Sequence, residues 1–113
     1  MGHYLGLDLG TSSLKALIVD EDQTPVATAS ASLNVTRPAF GWSEQAPADW
    51  IAACEAVLAE LQSKHAAAMA SVRGIGLSGQ MHGATLLDGA DEVLRPCILW
   101  NDTRSHEEAE ELD

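Results

Sequence analysis

Two short apolar runs, His3 to Leu7 and Leu14 to Val19, stand on either side of Asp8-Leu9-Gly10-Thr11-Ser12-Ser13. Runs of this length are strands rather than helices. The segment between them is turn chemistry: a glycine that permits positive φ, followed by small hydroxyl residues. A third stretch, Val26 to Leu33, alternates strictly. Ala27, Ala29, Ala31 and Leu33 share one face, and Val26, Thr28, Ser30 and Ser32 share the other. That period of two predicts a half-buried strand near a sheet edge. The opening thirty-odd residues therefore predict a three-stranded antiparallel meander.

Residues 34–46 carry Pro38, Gly41 and Trp42 and read as irregular. Pro47 suits a first helical turn, and Asp49 complements the positive helix end. Trp50, Cys54, Val57, Leu58, Leu61, His65 and Met69 then recur at three- and four-residue steps. This predicts one amphipathic helix. Val72 to Ser78 reads as a strand and residues 79–83 as a loop. Ala84 to Asp88 and Val93 to Arg95 form a hairpin around Gly89-Ala90-Asp91-Glu92. Asn101 or Asp102 is placed to cap a last helix, with Ala109 and Leu112 turned inward. The fold class is α/β. A chain of 113 residues makes one small domain. A final helix of about two turns is marginal alone, and the expectation is that the chain is the N-terminal part of something longer.

Charge excludes some partners. Six Lys+Arg against 17 Asp+Glu give −11 with neutral histidines. Such a balance argues against nucleic acid and against an anionic membrane surface. Residues 102–113 hold six acids and one base, −5 of that total. No apolar run reaches the roughly 18 residues of a membrane span, and the N-terminus has no signal-peptide pattern. Cys54 and Cys97 have no ligand-like spacing and read as two reduced thiols in a cytoplasmic protein.

The segment Asp8 to Lys15 carries the clearest chemistry. A glycine-bearing hairpin tip can aim backbone N–H groups and hydroxyls at one point, which makes an anion site without net positive charge. Asp8, at the end of the preceding strand, is suited to Mg²⁺, and the metal to bridging phosphate oxygens. Lys15 adds a point charge. The alternative is a plain hairpin whose Asp and Ser residues serve the turn. His82, in a loop between two glycines, is free to hydrogen-bond a hydroxyl or simply to be solvated. Trp100 beside Asn101, Asp102 and Arg104 suits a sugar, or is a core tryptophan next to a helix cap. Met81, Trp42, Trp50 and His65 read as packing.

The Asp-x-Gly-Thr-Ser-Ser hairpin resembles the first phosphate motif of the ribonuclease H-like, actin-like ATPase fold. Trp42-Ser43-Glu44-Gln45, Asp49-Trp50, Gly79-Gln80-Met81-His82-Gly83 and the stretch Arg95 to Arg104 with its Trp100-Asn101-Asp102-Thr103-Arg104 follow in order. Together they resemble the FGGY carbohydrate kinase family, and within it the bacterial xylulokinase branch, over nearly the whole chain. The resemblance implies ATP-dependent phosphorylation of a ketopentose, D-xylulose to D-xylulose 5-phosphate. It implies that Asp8 works with Mg²⁺ and that Gly10, Thr11, Ser12, Ser13 and Lys15 meet the ATP phosphates. It implies that Gln80, Met81, His82, Trp100, Asn101, Asp102 and Arg104 contact or wall the sugar. The general base and the adenosine-binding motif are expected downstream of Asp113, so residues 1–113 are expected to be a partial first domain and inactive alone. Another polyol or ketose, or a non-catalytic fragment that self-associates as a homodimer, are the alternatives.

Overall fold

Alternation along the first three strands sorts their side chains onto two faces, and the meander follows. The computed structural model describes residues 2–112. Strands β1 (His3–Leu9), β2 (Ser13–Val19) and β3 (Pro25–Ser32) pair in sequence order, antiparallel. Helices α1 (Pro47–Lys64) and α2 (Ala66–Ala70) then carry the chain across to β5 (Val72–Ser78), which lies parallel to β1. The sheet order is β3-β2-β1-β5. A parallel neighbour reached through helices is the connection this geometry requires.

The core lies between one sheet face and α1. Leu5, Leu14, Ala16, Ile18, Ala27 and Ala29 come from the sheet, and Ala53, Val57 and Leu61 from the helix. Ile18 and Leu61 are fully buried. Ala27, Ala29 and Leu33 bury on the face that alternation assigns to the core.

The expectation of one helix to Met69 is corrected. His65 leaves helical geometry at φ −137°, ψ 47°, and a short second helix follows. Alanine propensity favours continuation there. Tertiary packing overrides it: Ala68 and Met69 still reach the core, and Val72 enters the sheet.

The chain packs as two compact units, Met1–Leu33 with Ala48–Gly79, and Asn34–Pro47 with Gln80–Asp113. The second contains a stretch read as irregular. Strand β4 (Glu44–Gln45) pairs antiparallel with β6 (Cys97–Ile98), and Thr36 bridges to Glu44. Two residues are too few for a period to show in sequence. The hairpin around Gly89 forms as a bridge between Leu87 and Val93, with the Asp88 N–H donating to the Glu92 carbonyl and the Leu94 N–H to the Leu86 carbonyl, each at 2.9 Å.

Helix α3 (His106–Leu112) is not capped by Asn101 or Asp102. It starts after Ser105, whose carbonyl accepts the Ala109 N–H at 2.9 Å. Asp102 is engaged elsewhere, as described below. Leu112 is 89% exposed rather than inward, and Ala109 is exposed too. Glu107 and Glu108 sit in the first turn, where the helix dipole favours them. Among the described residues no helix is long and apolar enough to cross a membrane.

Candidate functional site

Successive side chains on a strand point to opposite faces. Leu5, Leu7 and Leu9 therefore pack with the core, and Asp8 stands on the opposite, open face with Gly6. The ladder then fixes Asp8's neighbours. Lys15 is opposite it on β2, Ser30 is opposite Lys15 on β3, and Ser78 is opposite Asp8 on β5. Ser78, Asp8, Lys15 and Ser30 form one polar row across four strands, all exposed. The adjoining row is Gly76, Gly6, Leu17 and Thr28. Its two glycines leave the backbone bare. Both rows line a groove of about 860 Å³. The ion pairs of the described residues all lie elsewhere, so the Asp8 carboxylate and the Lys15 ammonium remain available to a ligand.

The hairpin tip lies beyond the middle of this row, one ladder step past Asp8 and Lys15 at the Leu9–Leu14 pair. Gly10 N–H donates to the Ser13 carbonyl at 3.0 Å, and Leu33 N–H donates to the Ser12 carbonyl at 2.8 Å. Gly10 does not use the positive φ that glycine permits: among the described glycines only Gly41 has one, at 78°. Space at Gly10 is tight. A Cβ there would come within 3.2 Å of the Ser13 oxygen that closes the tip. Ser12 is exposed, and Thr11 and Ser13 are half-buried.

This arrangement fits a magnesium ion shared with phosphate. Mg²⁺ takes one or two carboxylates and completes its shell with water and phosphate oxygens. Among the described residues no group of three or more His, Cys, Asp or Glu is placed to hold a metal by itself. One open carboxylate beside a lysine and hydroxyls is the donor set expected where phosphate supplies the other oxygens.

The residues expected at a sugar lie in the second unit. The loop from Gln80 to Gly83 is tied at both ends. Gln80 Nε2 donates to Gln45 Oε1 at 3.1 Å. Ala84 exchanges two backbone hydrogen bonds with Ile98, each 2.9 Å. Between them Met81 is 73% exposed, and His82 is exposed with φ 61°. The left-handed conformation falls on the histidine, not on the flanking glycines. Such a conformation in a non-glycine residue costs about 1–2 kcal/mol and persists only where the surroundings enforce it. Trp100 is 60% exposed, while the Asn101 Oδ1 is buried without a hydrogen-bond partner.

Asp102 and Arg104 belong to a network with Trp42, Ser43, Glu44 and Arg95, residues that the sequence offered as motif members but not as partners. Arg104 Nε donates to Asp102 Oδ1 at 2.9 Å and Oδ2 at 3.0 Å, and its Nη2 donates to Oδ2 at 2.6 Å. The Ser43 N–H donates to the same carboxylate at 2.6 Å. Arg104 Nη2 also lies 2.8 Å from Glu44 Oε2, which pairs with Arg95 as well. The Arg104 guanidinium stacks 3.8 Å from the Trp42 ring centroid. Two of the four arginines of the chain thus converge on one buried glutamate. The Arg104 side-chain hydrogen bonds hold the Asp102 carboxyl well below the usual carboxylate range. Burial opposes this, and the backbone N–H groups of Arg104 and Ser43 reinforce it. Arg104 is pushed up in turn, first by its hydrogen bond to Asp102. The signal in sequence was the pair of motifs, Trp42 to Gln45 and Arg95 to Arg104, and it gave no pairing.

Comparison with known proteins places the chain in a family. The model of the FGGY family of carbohydrate kinases, N-terminal domain, matches residues 3–113. The xylulose kinase of Klebsiella pneumoniae is 46% identical over 110 residues, 97% of this chain and 22% of that protein. That of Escherichia coli K12 is 44% identical over the same shares. The crystal structure of a xyloylose kinase from Brucella ovis superimposes with a TM-score of 0.96 at 62% identity, covering 98% of this chain and 23% of that one. The chain spans about a fifth of the length of the curated relatives it matches. Its mixed sheet and helices are the opening part of the ribonuclease H-like, actin-like ATPase fold. The chain belongs to the FGGY family of carbohydrate kinases.

Proposed function

We propose that this chain is the N-terminal portion of a cytoplasmic, MgATP-dependent kinase that phosphorylates D-xylulose to D-xylulose 5-phosphate. The observation that carries the reading is the open row of Ser78, Asp8, Lys15 and Ser30 beside the tight Gly10–Ser13 tip. Its setting is a chain 46% identical to a xylulose kinase.

Phosphoryl transfer depends on positioning and electrostatic stabilisation more than on covalent chemistry. In this reading Asp8 holds Mg²⁺, which when bound neutralises charge on the phosphate oxygens. Lys15 adds a fixed positive charge on the same face. Thr11, Ser12 and Ser13, at the tip, donate to the nucleotide phosphates, and Gly10 keeps the tip tight enough for that. In the second unit His82 hydrogen-bonds a sugar hydroxyl, and Met81 and Trp100 supply apolar surface to the carbon skeleton. Asn101 offers its buried, unpaired acceptor. Asp102 and Arg104 brace the wall that carries Trp100 and Asn101. The proton acceptor for the sugar hydroxyl lies beyond residue 113, so the 113-residue chain alone is inactive.

The test is the complete protein assayed for ADP release with MgATP and a panel of ketoses, polyols and aldonates. D-Xylulose is expected to give the highest kcat/KM. A preference for another sugar or polyol would replace the substrate while keeping the kinase. No turnover with any of them would overturn the reading.

A further inference from the structure

Gln45 is 1% exposed, on the two-residue strand β4, and its side chain works in two directions. Its Nε2 donates to the Asn34 carbonyl at 3.3 Å, and its Oε1 accepts from Gln80 Nε2 at 3.1 Å. Gln80 immediately precedes Met81 and His82. The far end of that loop is closed by the paired backbone bonds between Ala84 and Ile98. Ile98 lies on β6, one residue beyond Cys97, the ladder partner of Gln45. Both ends of the loop are thus referred to the same two-stranded ribbon. One end is fixed by backbone and the other by an amide–amide side-chain bond.

The loop between these ties holds a non-glycine residue in the left-handed region, His82 at φ 61°. An unclamped loop would relax that residue toward negative φ. A buried amide is suited to resisting such relaxation, because breaking its bond would leave polar groups unsatisfied away from water.

We infer that Gln45 is a positioning residue that acts through Gln80 to hold Met81 and His82 in their sugar-facing pose. It touches no substrate itself. The inference rests on the sugar-kinase reading and extends it to a residue without a direct part in the chemistry. Gln80 is then chiefly the relay, its Nε2 committed to Gln45.

The experiment uses the complete kinase and the variants Gln45→Met, Gln80→Met and the double variant. Methionine matches glutamine in length and cannot make the bond. Each is assayed for KM of the sugar, KM of ATP, kcat and thermal unfolding. Loss of one positioning hydrogen bond predicts a rise in sugar KM of about five- to tenfold for each single variant. ATP KM is expected to stay within about twofold, since the expected nucleotide residues lie in the other unit. The double variant is expected to be no worse than the weaker single, the mark of two residues acting as one unit. Unchanged sugar KM in Gln45→Met, or additive losses in the double variant, would overturn the inference while the kinase reading stands. If Gln45→Met does not fold, Gln45→Glu keeps an acceptor for Gln80. It should then restore sugar KM to within about threefold of wild type, and failure to do so in a folded protein counts against the inference. A wild-type protein that phosphorylates no sugar would overturn both readings.

Discussion

Asp102 and Arg104, two residues apart, are locked face to face, with the Arg104 Nε within 3.0 Å of both carboxylate oxygens. The Asp102 side chain is 2% exposed and that of Arg104 12%. Removing one partner strands the other among groups arranged for a charge. Asp102→Asn is expected to lower Tm by about 5 °C or more, measured by calorimetry. An unchanged Tm would mean that the network is ornamental.

The same pair gives acid stability a definite sign. The Asp102 carboxyl titrates below its ordinary value of 3.8 in the folded protein. Its contribution is therefore complete above about pH 4 and is lost as the pH falls through the lower folded-state value. The Tm gap between wild type and Asp102→Asn should be flat from pH 7 to about pH 5 and shrink below about pH 4. A gap that widens on acidification would contradict the assignment.

Asp8→Asn in the complete protein is expected to reduce kcat by about 10³-fold while leaving Tm within about 2 °C, because the side chain is exposed on the open sheet face. Steady-state kinetics across a magnesium titration is the measurement. Retained turnover with an ordinary metal requirement would remove Asp8 from the reaction.

His82 should separate stability from recognition. His82→Gly relieves the left-handed backbone and removes the imidazole. Tm is expected to rise by about 3 °C while sugar KM increases about tenfold or more. A variant with unchanged KM would reduce His82 to a turn residue.

Gly41 has φ 78°, and a Cβ there would come within 2.5 Å of the Thr103 Oγ1. The backbone carbonyl of Gly41 also accepts the Thr103 N–H at 2.7 Å. Gly41→Ala is expected to cost about 1–3 kcal/mol in urea denaturation. Equal midpoints would show that the segment accommodates the methyl group freely.

The first unit was largely legible in its sequence because its signals are periodic. Val26 to Leu33 alternates, and Ala27, Ala29 and Leu33 bury accordingly. Trp50 to Leu61 repeats at helical spacing, and Val57 and Leu61 reach the core. What periodicity could not show was the break at His65, where the tertiary path of the chain overrides the alanines around it.

The second unit was legible only as motifs. Its buried set includes Ser43, Glu44 and Gln45 beside Cys97 and Leu99, so hydrophobic patterning has little to act on there. Pairing between residues about 50 and 60 positions apart, Glu44 with Arg95 and Arg104, leaves no local trace. The same absence hid the role of Gln45. Nor did composition show which residues carry left-handed backbone: Gln23, His82 and Asp91 do, and of the described glycines only Gly41 does.

The opening strand gears its greasy half to its chemical half. Because Leu7 and Asp8 occupy opposite sides of one pleat, a single-residue deletion between His3 and Asp8 would turn the carboxylate into the oil and a leucine toward the groove. Substitution can tune either side independently, but any change in the number of residues disables both together. The conserved quantity to look for across variants of this strand is therefore its count, modulo two.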